Sequence, residues 1–240
     1  MKHRQGTLVF DTTFELTEPW TVLFGPSGSG KTTVLRAIAG FVRPDAGLIV
    51  SGKSILLDDR TRVFVPAHKR PVRTAGQTAR LFPHMTVRQN VLYGAAWRSK
   101  PLEELEIANE VLVLFRLKDL AKRMPRDLSG GERQKVSVAR AVVSAVTFDR
   151  PETALLLLDE PFAGLDLAIK DELLDELRQW LGRWKIPVLS VTHDVGEAFQ
   201  LAAEVIKFAE GKVLQTGPAV TVLADERMRL TKQLSYSTDE

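Results

Sequence analysis

The sequence has 240 residues, with 33 Lys and Arg against 30 Asp and Glu, a net charge of +3 and no cysteine. The lack of cysteine excludes disulfides, thiolate metal sites and cysteine nucleophiles, and the mixed charges argue against a general nucleic-acid binder. The longest strongly apolar run, 154–158, is far too short to span a bilayer, so any membrane association would need partner chains that cross it.

The first elements are short strands that lead into a glycine-rich loop. We predict strands at 7–10 and 14–16, and then a buried strand at 20–24. The buried strand runs directly into the loop at 25–33, and a helix follows to about residue 39. A strand, a glycine-rich loop and a helix, in that order, are what a nucleotide phosphate loop requires.

The loop has the chemistry of a phosphate site. Glycines let the backbone curl so that its N–H groups point at phosphates, and the following helix adds its positive end. Lys31 can reach the β and γ phosphates, and the Thr32 hydroxyl can ligate Mg²⁺. A glycine-rich turn with an incidental lysine explains so complete a match poorly. The predicted phosphate-binding residues are Gly25, Pro26, Ser27, Gly28, Ser29, Gly30, Lys31, Thr32 and Thr33.

The middle of the chain changes from strands to helices. Residues 48–50 and 54–57 are typical of a hairpin, whereas 60–76 look basic and irregular. The pattern is helical from 87 to 145, and within it an amphipathic helix begins at 102 and ends near 115.

Two further apolar strands end in acidic and histidine residues. The runs at 155–158 and 188–192 are largely apolar, which indicates a parallel sheet buried on both faces. Asp159 directly follows the first run and is a candidate Mg²⁺ ligand, because Mg²⁺ prefers hard oxygen donors. Glu160 could orient or polarise an attacking water. The alternative is a pair of solvated acids at the end of a strand.

A second helix start offers another anion site. Ser129, Gly130 and Gly131 precede a helix, and a helix N-terminus attracts anions. One nucleotide rarely needs two such sites from a single domain, so we expect two chains that each supply one to the other's nucleotide. The alternative is an ordinary N-cap with Glu132 in a capping box, and the two interpretations are compatible.

These motifs resemble those of ATP-binding cassette (ABC) ATPases. Residues 128–134 and 139–141 are similar to the family signature, and the other motifs follow in the family's order. The resemblance implies an α/β P-loop NTPase core with a parallel sheet, an antiparallel β subdomain and an inserted helical subdomain. It also implies a head-to-tail dimer that binds two ATP molecules with Mg²⁺.

The resemblance also implies roles for three residues that their sequence context leaves open. Gln77 resembles the glutamine that contacts Mg²⁺ and water, and Asp166 resembles the D-loop aspartate, which is expected among the nucleotide-binding residues. His193 resembles the histidine that senses the γ-phosphate. Taken alone, His193 is more often structural, Asp166 is more often a helix N-cap, and Gln77 carries no signal.

Residues 79–84, together with residues up to 94, are similar to the corresponding segment of molybdate-importer ATPases. Related importers of sulfate and maltose have similar segments. We therefore expect one ATPase domain over 1–240, with a helical subdomain at about 86–148 and a polar tail at 226–240 that frays. The expected partners are a second ATPase subunit, membrane permeases and, indirectly, a solute-binding protein, with no nucleic acid. The expected location is the cytoplasmic face of the membrane. Alternatives are a sulfate, sugar or polyamine importer, a soluble ABC protein, and a metabolite kinase.

Several positions depart from the family pattern. No aromatic residue precedes Phe10 to stack on adenine, so His3 or Arg4 would have to substitute. Residues 73–76 are less apolar than the usual strand before the glutamine, and Gly164 stands where alanine is usual. We expect 144–153 to form a long surface loop. We expect these 240 residues not to include the additional β domain that importer ATPases commonly carry.

Overall fold

The computed structural model describes residues 1–95, 101–201 and 204–237, and the side chains among them other than those of 101, 152 and 233–237. The strands are β1 (Lys2–Gln5), β2 (Leu8–Asp11), β3 (Trp20–Phe24), β4 (Leu48–Ser51), β5 (Ser54–Asp58), β6 (Val63–Phe64), β7 (Val72–Ala75), β8 (Leu155–Asp159), β9 (Val188–Thr192), β10 (Glu204–Ala209) and β11 (Lys212–Gly217). The helices are α1 (Lys31–Ala39), α2 (Val87–Leu92), α3 (Pro101–Leu114), α4 (Gly130–Val146), α5 (Leu167–Gly182), α6 (Val195–Leu201), α7 (Ala219–Val222) and α8 (Ala224–Ser237). Among the described helices, none combines the length and apolar character needed to cross a membrane.

The centre of the fold is a six-stranded sheet in the order β11-β10-β3-β9-β8-β7. All neighbours pair in parallel except β10 and β11, which confirms the predicted parallel α/β core. Strand β8 shows why its sequence is apolar throughout. Leu155 and Leu157 belong to the apolar cluster on the α1 side, whereas Leu156 and Leu158 belong to the cluster that includes α4. Each fully buried leucine contributes about 1.5–3 kcal/mol.

A smaller antiparallel region flanks α1, as expected for a β subdomain. It contains the β1–β2 pair and the sheet β4-β5-β6, so the predicted hairpin is confirmed. Arg70 joins this region to the core, although it is only 1% exposed. Its guanidinium donates to the carbonyls of Ala37 and Ile38 at the end of α1, to that of Leu56 in β5, and to that of Val65, which directly follows β6. Four carbonyl acceptors satisfy this buried cation and hold the two layers together.

The first residues differ from the sequence prediction. The predicted strand at 7–10 is β2, but residues 14–16 are irregular. The strand that pairs with β2 is β1 instead. Strand β1 reads Lys-His-Arg-Gln and has no apolar alternation, so propensity gives no signal for it. It forms because β2 supplies backbone partners, and because Lys2 also bridges to Ala46.

The prediction of an irregular segment over 60–76 is wrong. Strand β7 lies at the edge of the main sheet and pairs with β8, and β6 joins the small sheet. The polar Arg73 is accommodated because its guanidinium lies 4.5 Å from the Phe148 ring centroid and donates to the Val72 carbonyl. An edge strand with these contacts does not need the apolar sequence of a central strand.

The helical segment follows the prediction more closely. The helix expected at 102–115 is α3, and the one after Gly131 is α4. The predicted loop at 144–153 is shorter than expected, because α4 continues to Val146 and a 3₁₀ turn occupies 151–153. The expected frayed tail is helix α8 up to Ser237. Residues 96–100 of the predicted helical subdomain and 238–240 of the predicted tail lie outside the described residues.

Candidate functional site

The loop between β3 and α1 requires glycine at two close contacts. A Cβ on Gly25 would lie 1.9 Å from the Phe208 carbonyl oxygen, so any side chain there would clash with backbone. Gly30 has φ 101° at the N-cap of α1, and a Cβ there would lie 2.4 Å from the Phe10 ring. The loop therefore passes too close to its neighbours at these two positions for a residue with a side chain, and it leads directly into the N-terminus of α1, an end that favours anions.

A cleft of about 370 Å³ opens at this loop. Its lining residues come from the loop, the ends of the strands and the N-terminal hairpin: Gln5, Leu8, Ser27, Gly28, Gly30, Lys31, Thr32, Thr33, Gln77, Glu160 and Val191. Lys31 is 5% exposed, and its Nζ donates to the carbonyls of Gly25 at 2.6 Å and Pro26 at 2.8 Å. Burial lowers the pKa of Lys31, while Glu160 and Asp159 oppose that shift. A cation at the base of a loop of N–H donors suits a polyphosphate.

Thr32 and Asp159 form a pair of oxygen donors beside the loop. The Thr32 hydroxyl interacts with the Asp159 carboxylate, and Asp159 is 6% exposed at the end of β8. Burial raises the pKa of Asp159, the Thr32 hydroxyl lowers it, and Glu160 raises it further. In the described residues there is no cluster of three His, Asp or Glu side chains that could hold a metal. A hydroxyl and one carboxylate nevertheless fit Mg²⁺, which takes its remaining ligands from water and phosphates.

Glu160 is the centre of a second cluster at the mouth of the cleft. Its Oε2 accepts from Gln77 Nε2 at 3.1 Å, and its Oε1 lies 3.1 Å from His193 Nδ1. Three of the sequence-predicted residues therefore meet, although they lie far apart in the chain. Glu160 has φ 45°, a left-handed conformation that costs a residue with a side chain about 1–3 kcal/mol. This backbone conformation directs the carboxylate toward Gln77 and His193.

The residues at 129–131 and Asp166 are not brought to this cleft. Ser129 Oγ accepts from the Glu132 N–H at 3.2 Å, and Glu132 Oε2 accepts from the Ser129 N–H at 2.6 Å, so the capping box is confirmed. Asp166 caps α5 by accepting from the Ala168 N–H at 3.0 Å. A Cβ on Gly131 would lie 2.6 Å from the Leu165 side chain, which places the start of α4 beside the segment before α5.

The structure also shows contacts that the sequence prediction missed. Gln5 and Leu8 line the cleft, and Gln5 Oε1 accepts from the Thr33 hydroxyl at 2.8 Å. His3 instead lies 6.0 Å from the Phe10 ring and 3.4 Å from Asp45, away from the lining. No pattern in a polar strand distinguishes Gln5 from its neighbours, so only the pairing of β1 with β2 places it. A larger cleft of about 1300 Å³ between α3 and α5 contains none of the predicted site residues.

Comparison with known proteins identifies the family to which the chain is similar. A family model for ABC transporters matches residues 11–163. The molybdenum import ATP-binding protein ModC of Mesorhizobium japonicum is 41% identical over 92% of this chain and 58% of its own length. The ModC protein of Rhizobium etli is 40% identical over 93% of this chain and 61% of its own length. This chain thus spans about three fifths of the length of these relatives.

Solved structures show the same fold. A dimeric ATP-binding cassette in a post-hydrolysis state, bound to ADP and Pi, has a TM-score of 0.73 at 24% identity and covers 91% of this chain and 95% of its own. The cbiO1 protein of Clostridium perfringens, part of an ABC transporter complex, has a TM-score of 0.71 at 24% identity and covers 90% and 83%. The phosphate loop and the acidic residues at the end of β8 agree with the matched family model and with the relatives. We conclude that this chain belongs to the ABC transporter family.

Proposed function

We propose that this chain binds and hydrolyses ATP as a subunit of an importer, with Mg²⁺ as cofactor. The observation that carries the proposal is the cluster of Glu160, Gln77 and His193 at the mouth of the phosphate-loop cleft. A carboxylate, an amide and an imidazole beside a phosphate site are suited to the transfer of a phosphoryl group to water.

Each residue of the cluster has a distinct task in this proposal. The loop N–H groups and Lys31 bind the phosphates, while Thr32 and Asp159 would hold Mg²⁺, which neutralises charge on the phosphate oxygens when bound. Glu160 orients the attacking water and accepts its proton. Gln77 and His193 hold the Glu160 carboxylate by its two oxygens, so it keeps one orientation. Catalysis then comes from positioning and electrostatics.

We also propose that two such chains form the complete unit. Ser129, Gly130 and Gly131 form an exposed helix start outside the chain's own cleft, beside the segment that leads to Asp166. A head-to-tail dimer would bring these residues to the partner's γ-phosphate, with Asp166 at the interface. The arrangement explains why one chain carries two anion-binding helix starts.

For the transported solute we propose a small oxyanion such as molybdate. The support is the name shared by relatives at about 40% identity, ModC of M. japonicum and of R. etli. The chain would then work on the cytoplasmic face of the membrane, bound to permease subunits and indirectly served by a solute-binding protein.

Two measurements test this function. The purified chain should hydrolyse ATP in the presence of Mg²⁺, and Lys31→Ala should lose both ATP binding and turnover. In cells that lack their own molybdate-importer ATPase, this chain with its permease should restore molybdate uptake. Hydrolysis that persists fully in Lys31→Ala would contradict the assigned phosphate site, and restored uptake of a sugar instead of molybdate would contradict the solute.

The surface that would bind the permease lies just after Gln77. Phe82 is half-buried, its ring lies 4.3 Å from that of Tyr93, and the Arg140 guanidinium lies 5.2 Å from its centroid. Asn90 is fully buried and fixes this loop by accepting from the Phe82 N–H and donating to the Phe82 and Met85 carbonyls. Asn90 thus holds the loop together as one unit, and because the segment begins at Gln77, a movement of Gln77 would displace the aromatic edge formed by Phe82.

We expect Phe82→Ala to weaken assembly with the permease by about 30-fold or more, because an aromatic anchor at an interface commonly contributes about 2 kcal/mol or more. ATP hydrolysis by the isolated subunit should change much less, since Phe82 does not line the cleft. Pull-down of the permease that co-purifies from membranes, beside the soluble ATPase rate, measures both. Phe41→Ala is the matched control, because Phe41 is 61% exposed at the end of α1. Joint loss of stability and ATPase, with normal transport by any assembled fraction, would show that Phe82 is only a core residue.

A further inference from the structure

Three charged side chains, two of them buried and one partly exposed, lie beside the catalytic cluster and have no part in the mechanism above. Lys170 of α5 is 8% exposed, and Glu197 of α6 is 5% exposed. Asp194, which directly follows His193, forms an ion pair with Lys170 through its Oδ2. Ionised side chains are rarely buried unless each is paired, because transfer out of water costs several kcal/mol per ion. This group therefore needs an explanation.

The contacts join two segments that carry predicted site residues. Asp194 Oδ1 accepts from the Glu197 N–H at 3.2 Å, and the Asp194 N–H donates to Thr192 Oγ1 at 3.0 Å. Glu197 Oε2 accepts from the same Thr192 hydroxyl at 3.2 Å. These bonds fix both sides of the one residue between Thr192 and Asp194, which is His193.

Lys170 supplies the other end of the connection. It lies in the first turn of α5, and its backbone N–H donates to the carbonyl of Asp166 at 2.9 Å. Asp166 caps the same helix. The path from Asp166 to His193 therefore consists of one helical turn, one ion pair and one peptide unit. A displacement of the first turn of α5 would therefore be passed to His193 through the Lys170–Asp194 ion pair.

We propose that Lys170 is a positioning residue for hydrolysis: through Asp194 it holds His193 against Glu160, and it couples the start of α5 to that contact. The inference rests on the proposed ATPase function. Lys170 touches neither the cleft nor the Glu160 carboxylate, so its effect passes entirely through Asp194 and the loop of His193.

The charge balance supports this arrangement. Burial alone raises the pKa of Asp194, but the bond from Lys170 leaves it below its ordinary value, so the ion pair persists at neutral pH. Burial raises the pKa of Glu197 to about 7, against the opposing effect of Lys170. The buried Lys170 cation thus stabilises the ionised Asp194 carboxylate and also lies near Glu197, which is partly protonated at neutral pH. Loss of the cation would leave two acids close together, and the loop would rearrange to separate them.

The test compares Lys170→Met with Lys170→Arg. We expect Lys170→Met to lower kcat for ATP about 10- to 100-fold with KM for ATP changed by less than about threefold, because an orientation error of about 1 Å has costs of this size. Lys170→Arg keeps the cation and should recover most of the rate. Arg116→Met is the matched control: Arg116 also pairs with α5, but at Glu172 and Glu176 rather than with Asp194. It should leave kcat nearly unchanged.

A double variant separates positioning from general stability. If Lys170 acts only through Asp194, then Lys170→Met combined with Asp194→Asn should lose no more rate than the larger single loss, rather than the product of both. Independent, multiplicative losses would overturn the proposal, as would a Lys170→Met variant with kcat within threefold of the wild type. The proposal would also be overturned if Lys170→Arg did not recover kcat and if the loss of kcat in both variants followed their loss of thermal stability.

A second readout does not depend on turnover. The chain has four histidines, so the His193 ring can be followed by NMR after assignment with His193→Gln. Its ring resonances should shift in Lys170→Met, return in Lys170→Arg and stay fixed in Arg116→Met. If the wild type hydrolyses no ATP, the proposed function fails, and these shifts still decide whether Lys170 positions His193. Unshifted resonances in Lys170→Met would overturn the inference.

Discussion

Replacing Glu160 by Gln is expected to lower ATP hydrolysis by about 10²- to 10⁴-fold, the usual contribution of a positioned general base. The amide keeps the size of the side chain but cannot accept the proton of the attacking water. Lys31 and the Thr32–Asp159 pair are untouched, so ATP and Mg²⁺ should bind as before. Because bound ATP is no longer consumed, the closed dimer should accumulate and appear on size exclusion when ATP and Mg²⁺ are present.

Two controls make this result specific. Asp159→Asn should impair Mg²⁺-dependent binding as well as turnover, which would distinguish a metal ligand from a base. His193→Gln should lower turnover and leave ATP binding close to normal, since His193 contacts Glu160 rather than the phosphate loop. A Glu160→Gln variant that hydrolyses ATP at the wild-type rate would remove Glu160 from the mechanism.

Replacing Ser129 by Arg is expected to lower turnover by at least about 10²-fold, while ATP still binds to the phosphate loop of the same chain. The reason is geometric: Ser129 lies at the start of α4, outside the chain's own cleft, and is proposed to contact the partner's nucleotide. The arginine removes the capping hydroxyl and fills the space that the γ-phosphate would enter. Equilibrium ATP binding and steady-state hydrolysis, measured on the same sample, check the two halves of the prediction.

Mixing the Ser129→Arg chain with a Lys31→Ala chain tests the sandwich directly. In the mixed dimer one site combines an intact phosphate loop with an intact Ser129, and the other site carries both lesions. If the sites work independently, a random mixture should recover roughly a quarter of the wild-type rate, since half of the dimers hold one intact site of two. Full activity of wild-type protein as a monomer at high dilution would refute the dimeric site.

The sequence determined the parts of this protein whose signals are local. The phosphate loop is a continuous segment between a buried strand and a helix, so its residue types and spacing identify it without a partner. Strand β8 has four consecutive leucines before Asp159 because both of its faces are covered, and this property is visible in the sequence. The same is true of the helix start at Ser129, where a capping box needs only residues three apart.

Tertiary structure decided the features that depend on residues distant in the chain. The polar strands β1 and β7 exist because β2 and β8 supply their hydrogen-bond partners, and propensity cannot anticipate that. Gln5 reaches the cleft only through that pairing of β1. The resemblance suggested roles for Gln77 and His193 separately, but only the order of the parallel strands brings both to Glu160.

The Lys170–Asp194 ion pair shows the same physical limit most plainly. A lysine in the first turn of an amphipathic helix is typical of a solvent-exposed position, and nothing in its neighbours marks it as buried. Its burial follows from the packing of α5 against α6, which places Asp194 within reach. Local sequence patterns indicate which functional groups each segment contains. The free energy of burying and pairing charges is decided only when the segments meet, so the contacts that orient the site belong to the fold.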